Sequence, residues 1–449
     1  MRLPRPLALG RLSHLRFDRQ YSSSHIIKEN DALFLRQRGK ARPHWHLTSP
    51  LRPDSKVRLA YGASVNASDL IGRSLLDVVS DSSGRDVVLH EPSLASYIIN
   101  SARQATPIYP HDANTIVALL DLNLPRPGEE DEKPHAPPFE IFEAGTGMGS
   151  LTLHIARALH AANPPTTPSL RNALCSANYQ PHGFGLNLSP EEQTAYDSYR
   201  ASRRAVLHTL DRNPKHSRAA HKLIRHFRRA LYSPTIDFHV GSIDEYLTER
   251  LAQTDGAPFL SHAILDLPSA QDNATSVIKA LKPNGLLVLF NPSISQVGDF
   301  QAWVKRTGQP VQVEKVLELP VSTTADGSRD CGGGREWDVK TVIPKGADSD
   351  VQPVQVMRPK VGDRVVGGGF VAVLRRYHVG KPSSEIETVQ EEDTLVEQPS
   401  ILVESPLEEV MPVEQPSSVD ESAMEESTPV NEVPSEDHPD QEKTTSPSY

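Results

Sequence analysis

The chain has 449 residues, room for two or three domains, but its mean hydropathy of −0.43 and 37% hydrophobic content are low for one globule. The shortfall sits at one end: residues 381–449 hold 19 Asp and Glu against 2 Lys, a net of −17, so residues 1–380 carry +7 of the overall −10. Two cysteines, Cys175 and Cys331, exclude a disulfide framework and a four-thiolate metal site. The absence of any apolar run near about 18 residues excludes a membrane-spanning helix. No metal site is expected.

In chain order, "MRLPRPLALGRLSHLRFDRQYSSSH" comes first, with Arg2, Arg5, Arg11, Arg16 and Arg19 against the single acid Asp18. Arg-rich, Ser-rich and acid-poor, it reads as a mitochondrial presequence over residues 1–21, addressing the matrix; a nuclear location is the alternative. Residues 28–96 carry short runs such as "ALFLRQ", "KVRLAYG" and "DVVLHE" between turn signals, which predicts a small β-rich domain. From Leu94 the spacing becomes helical, and "DANTIVALLDL" repeats it before a Pro-rich charged loop, 125–138.

A strand is predicted at 139–143, then a helix (150–161), a long loop (162–204) and a strand (205–210). A helix (214–231), strands at 236–240 and 262–267, a helix (272–281) and a strand (285–290) follow. Strands alternating with helices predict an α/β domain over 97–377, a parallel sheet with helices on both faces. The stretch 162–204, with Pro164, Pro165, Pro168 and Pro181, reads as a surface insertion, as does 322–360. The latter should lead into an antiparallel strand near 337–342 and a last strand at 369–375. Residues 378–449 lack the apolar content to offset their ordering entropy and read as a disordered acidic tail.

"EAGTGMGSLTL" joins the 139–143 strand to the next helix and spells E-x-G-x-G-x-G with Glu143, Gly145, Gly147 and Gly149. Glycine there permits positive φ and close approach to the backbone, and the helix start offers free N–H groups and a positive dipole end. The spacing is neither the dinucleotide fingerprint nor a phosphate-binding P-loop. Asp211 ends the second strand, where a carboxylate can accept both hydroxyls of a ribose or cap the next helix. Asp266 ends "SHAILDLPSA" at the crevice side of such a sheet.

The turn resembles the first motif of class I S-adenosylmethionine-dependent methyltransferases, which have a Rossmann-like sheet. Further stretches make the resemblance specific: "SPLRPDSKVRLAYGA", "LHEPSLASYI", "IYPHDANTIVALLDL", "LDLPSA", "ALKPNGLLVLFNPSISQV", "WDVKTV" and "GGGFVAVLRR". In this order they resemble the catalytic subunit of tRNA (adenine-58-N1) methyltransferases, of a mitochondrial type. That resemblance implies S-adenosyl-L-methionine as cofactor and tRNA as partner, in a homo-tetramer or a hetero-tetramer with a related non-catalytic subunit. It implies Asp266 as the carboxylate of the catalytic site. It further implies a cofactor pocket of Glu143, Gly145, Thr146, Gly147, Gly149, Ser150, Leu151, Asp211, His216, Ser242, Ile243 and Asp266. The chain departs from the family at three places. Ser242 stands where an acid usually follows the third strand. Ser269-Ala270-Gln271 replaces a Pro-Trp pair after Asp266-Leu267-Pro268. His216 holds a position that is commonly basic.

Lys215, Arg218, Lys222, Arg225, Arg228 and Arg229 on the helix after Asp211 are candidates for tRNA phosphates or for a solvated face. Arg36, Arg38, Lys40, Arg42 and Trp45 form a second candidate surface. Two other readings are a non-catalytic tRNA-binding partner subunit and a methyltransferase acting on protein or small molecules. The retained Gly145, Gly147, Gly149, Asp211 and Asp266 count against the first, and the N-terminal module against the second.

Overall fold

Val87 and Leu89 alternate with more exposed neighbours along one short strand, and Leu35 does so along another. This period of two builds a small antiparallel sheet. The computed structural model describes residues 25–39, 44–129, 137–181, 183–322, 331–334, 337–343, 352–359 and 366–378, all within one compact unit, Met1–Pro382. The proposed presequence, and the tail beyond residue 378, lie outside these described residues. The chain opens with β1 (Phe34–Gln37), β2 (Trp45–Leu47), β3 (Lys56–Arg58), β4 (Ser64–Asn66), α1 (Ala67–Leu70), β5 (Val78–Ser80) and β6 (Asp86–His90). Strands β2–β1–β6–β5 form one sheet and β3 pairs with β4; Leu33, Leu35, Leu51, Val65 and Leu89 share their core.

Two helices, α2 (Leu94–Asn100) and α3 (Pro110–Leu119), lead to the larger sheet. Its alternation begins with β7 (Phe139–Ala144), α4 (Ser150–Leu159), α5 (Pro168–Ser176), α6 (Pro190–Ala201), β8 (Ala205–Asp211), α7 (Pro214–His226) and β9 (Ile236–Val240). It continues with α8 (Ile243–Gln253), β10 (Leu260–Leu265), α9 (Gln271–Ala280), β11 (Leu281–Asn291), α10 (Ile294–Thr307) and β12 (Val311–Ser322). The hairpin β13 (Trp337–Val342) and β14 (Val354–Pro359) and the last strand β15 (Val366–Arg376) follow. The order β12–β15–β11–β10–β7–β8–β9 is parallel from β11 to β9 and antiparallel at β15 and β12. Side chains alternate between two cores: Ile141, Ile264 and Val288 face α2, α3, α4 and α7, while Phe142, Ala263, Leu265 and Leu287 face α8, α9 and α10. Burying each large aliphatic contributes about 2 kcal/mol. This is the Rossmann-like architecture the alternation predicts.

Residues 162–204 differ from the expected loop. Two helices, α5 and α6, occupy them, with Pro168 and Pro190 at helix starts. Proline lacks only an N–H that the first turn leaves unpaired, so it starts helices as readily as it breaks them. Thr167 caps α5, and Ser189 with Glu192 forms a capping box on α6. Leu170, Leu174, Cys175 and Tyr199 bury together with Ala230. The predicted 214–231 helix stops at His226, because Arg228, Arg229 and Ala230 turn to φ of 46–55°. Arg171 holds that turn by donating to the carbonyls of Arg228 (2.6 Å) and Arg229 (3.3 Å). Around 337–342 the expected antiparallel strand is present, paired with β14 rather than with the large sheet.

Near the amino-terminal ends of β7 and β9 the sheet buries charge in pairs. Arg203 grips Asp237 through two bonds of 3.0 and 2.8 Å, with Arg200 on the same carboxylate at 3.1 Å. Glu140 accepts from Arg250 at 2.9 Å and lies 2.9 Å from the His208 ring.

Candidate active site at the carboxyl ends of the central strands

After β7 the chain winds outward through β8 and β9, then crosses back to β10 on the other side of β7. Strand order reverses between β7 and β10, and in open α/β sheets that reversal opens a crevice at the carboxyl ends. The 145–149 turn leaves β7 there, and Asp266 leaves β10 beside it, its N–H donating to the Ala144 carbonyl (2.9 Å).

Gly145 is required by this closeness. At φ +99°, a Cβ on it would stand 2.3 Å from the carbonyl oxygen of Asp266. Gly149, at φ +85°, lets α4 pack on α7, where a Cβ would lie 2.9 Å from that of Ala220. Over Gly147 the space is open, with nothing nearer than 3.9 Å to a Cβ built there. The Gly147 N–H donates to Asp211 (3.0 Å), as does that of Asn213 (2.8 Å). Asp211 therefore shapes the turn, and its oxygens keep lone pairs for a further donor. His216 lies 3.5 Å from the same carboxylate.

Behind the turn, Glu143 is buried and accepts from Thr209 (2.8 Å), whose hydroxyl also meets that of Thr146 (2.7 Å). Burial pushes the Glu143 carboxyl up to about 8. Ser150 and Leu151 are buried too: Ser150 donates to the Ile108 carbonyl (2.5 Å), and Leu151 sits in the core. Their side chains serve the fold, so the part of α4 available to a ligand is its first-turn backbone N–H groups. Ser242 caps α8 by accepting from the Glu245 N–H at 3.5 Å, and Ile243 is buried beneath it. The structure thus gathers the Gly turn, Asp211, His216 and Asp266 at the carboxyl ends of neighbouring strands, and puts Ser242 and Ile243 at the start of α8 after β9.

Asp266 faces a second space. A cavity of about 380 Å³ is lined by it together with Tyr109, Asp112, Pro268, Phe290 and Pro292. Burial, then the nearby Asp211, pushes the Asp266 carboxyl up to about 7. Asp112 is pushed up to about 6 by burial, against a hydrogen bond from the Gly368 backbone. Sequence reasoning assigned no role to Asp112, Tyr109 or Phe290. The signal available was "YPHD" and "GGG": a Cβ on Gly367 would stand 2.9 Å from Asp112 Oδ2.

Most of the predicted basic face of α7 is spent on the fold. Arg225 is buried and donates to the carbonyls of Cys175 and Ala177, and Arg218 donates to that of Gly183. Arg228 pairs with Glu91 (3.4 Å) and Arg229 with Asp31 (3.1 Å). In the first sheet, Arg38 pairs with Asp86 and Arg36 lies over Trp45. Lys40 and Arg42 lie outside the described residues.

No family model matches the chain. Two curated proteins are similar to it over 266 residues at 28% identity, spanning 59% of this chain and 73% of each of theirs. Both are tRNA (adenine(58)-N(1))-methyltransferases TrmI, from two strains of Thermus thermophilus. Among solved structures, a SAM-dependent O-methyltransferase of Thermotoga maritima aligns at TM-score 0.49 and 14% identity, over 81% of this chain and 98% of its own. The tRNA (m1A58) methyltransferase TrmI of Aquifex aeolicus aligns at TM-score 0.44 and 14% identity, over 78% and 99%. The family resemblance carried by the motifs is upheld by the sequence relatives.

Proposed function

We propose that this chain is a SAM-dependent methyltransferase that modifies N1 of adenine at position 58, in the T-loop of tRNA, in mitochondria. One observation carries the reading. Asp266 stands between the Gly turn and a cavity walled by Tyr109 and Phe290, so a cofactor and a flat base can meet at one carboxylate.

The residues present fit the cofactor. The open face of Gly147 and the first-turn N–H groups of α4 suit its amino-acid part, Asp211 its ribose, and the half-buried turn at Ser242, with Ile243 packed beneath it, its adenine. S-adenosylmethionine supplies an already activated methyl group. Adenine N1 is a neutral lone-pair nucleophile, so no base need remove a proton from it. The product base is a cation, and an ionised Asp266 beside N1 and the 6-amino group stabilises the charge as it develops. Tyr109 and Phe290 hold the ring in line, after the base has left its stack.

Two further parts rest on the sequence. Residues 1–21 supply the mitochondrial address. A tetramer, homomeric or with a related non-catalytic subunit, is in keeping with the apolar Trp337, Val339 and Met357 exposed on the β13–β14 hairpin.

Incubating the full chain with labelled S-adenosylmethionine and mitochondrial tRNA, then mapping reverse-transcription stops, should place the label at adenine 58. A wild-type chain that neither binds the cofactor nor methylates N1, even with candidate partner subunits added, would sink the enzyme reading. Fusion of residues 1–30 to a fluorescent reporter tests the address; diffuse signal counts against mitochondria.

A further inference from the structure

Two recesses border the junction between the first sheet and the helices α5 and α7. One, of about 600 Å³, is lined by His46, Arg52, Lys56, Arg58 and His226, among others. The other, of about 290 Å³, continues from it, sharing Leu47, Ser49, Pro50 and His226, and reaches Lys222, Gln104 and Met148. No acidic side chain lines either one. Arg52, Lys56, Arg58 and Lys222 are exposed, and among the described residues none has a carboxylate within ion-pair distance or a side-chain hydrogen bond. The contrast with Arg218 and Arg225 of α7 and with Arg228 and Arg229 just beyond it is direct, since all four have partners. Around His226 the crowding shows: after burial, its pKa is lowered by Arg225, Lys222 and Arg52.

We propose that this recess is a track for the phosphodiester backbone of the RNA substrate, held by Arg52, Lys56, Arg58 and Lys222. The assignment rests on the tRNA reading above and names the surface that would serve it. Unpaired cations along a concave, acid-free path are the footprint of backbone binding. Tyr97, which lines the second recess, is buried with its hydroxyl donating to the Leu223 carbonyl (2.8 Å), so its ring is committed to the fold and the exposed cations dominate the path. One end of the track reaches Met148 inside the Gly turn and Ala102 and Gln104, next to Ala105, the neighbour that overlooks Gly147. A strand held along it is therefore anchored beside the reaction site. Contacts of this kind position the substrate without reading its sequence.

The test compares two charge-matched pairs in the full chain: Arg52→Ala/Arg58→Ala in the recess, and Lys305→Ala/Arg306→Ala at the exposed end of α10. Binding of fluorescent tRNA is followed between about 50 and 200 mM salt, with KM and kcat for tRNA, cofactor affinity and melting temperature measured alongside. The recess pair should lower the salt slope by about 1.5 and raise KM roughly tenfold on every tRNA tried, with kcat, cofactor affinity and melting temperature held. The α10 pair should do neither. Equal slopes and KM values in the two pairs, as expected if the recess instead seats a protein partner, would overturn the assignment. Failure of the methylation reading is a different result, wild-type chain that binds tRNA yet leaves adenine 58 unmodified.

Discussion

The same parallel strands carry acids at both ends, and the two ends treat them in opposite ways. Near the amino-terminal ends, Asp237 and Glu140 are matched by Arg203, Arg200 and Arg250. Asp237 is held down at about 2, Arg203 outweighing the cost of burial. At the carboxyl ends, Glu143 and Asp266 have no Arg or Lys within ion-pair distance among the described residues, and both are pushed up. Acids at the amino-terminal ends are matched by cations, whereas Glu143, buried behind the turn, is held by a hydroxyl, and Asp266 keeps its capacity for a ligand. A carboxylate at a strand end that is perturbed, lines a cavity and has no cation beside it, as Asp266 does, is the pattern of a functional site.

Substitutions at the two ends should therefore fail in different ways. The largest effect expected is on catalysis: Asp266→Asn keeps the shape of the site but removes the charge, and should lower kcat about 10²–10³-fold while calorimetry finds cofactor affinity little changed. At the other end, Arg203→Ala leaves Asp237 buried with only the more exposed Arg200 and the His208 ring beside it. It should cost about 3 kcal/mol in urea unfolding, with normal kcat in the protein that remains folded. A variant Arg203→Ala as stable as the wild type would erase the contrast.

Glu143 gives a smaller and pH-dependent effect. Its folded pKa is raised, so its contribution to stability is full below the unfolded value of ~4.3 and is lost as pH rises through about 8. Over that window the wild type should lose up to ~1.4 kcal/mol per pH unit, and Glu143→Gln should not. Melting curves at pH 5 and pH 9 should diverge only at the higher pH. The smallest change expected is kinetic. Asp266 must be ionised to act, so kcat/KM should fall as pH drops below about 7. Because Asp211 contributes to that upward shift, Asp211→Asn should move the acid limb to lower pH, measured at saturating cofactor.

The parallel sheet and the Gly turn were legible because each is local: alternation within a strand, glycine spacing within five residues. Asp211 and Asp266 were found by asking what a strand end faces. The α5 and α6 helices were missed because a proline at a helix start and one in a loop look alike until the Thr167 and Ser189 caps are weighed with them. The second cavity is assembled from segments near 109, 266, 290 and 367, and no single window of sequence shows four distant segments meeting. The Arg225 case is the converse, where helical spacing placed it on a basic face but its depth sent it to the carbonyls of Cys175 and Ala177.

Gly145 meets Asp266 across a gap that no side chain fits. In a saturation-mutagenesis library, position 145 should therefore tolerate nothing, even in a selection for tRNA binding alone, since any replacement would displace the backbone from which Asp266 springs. The two positions behave as one heritable character, and a lineage that loses the turn loses the acid's placement in the same step.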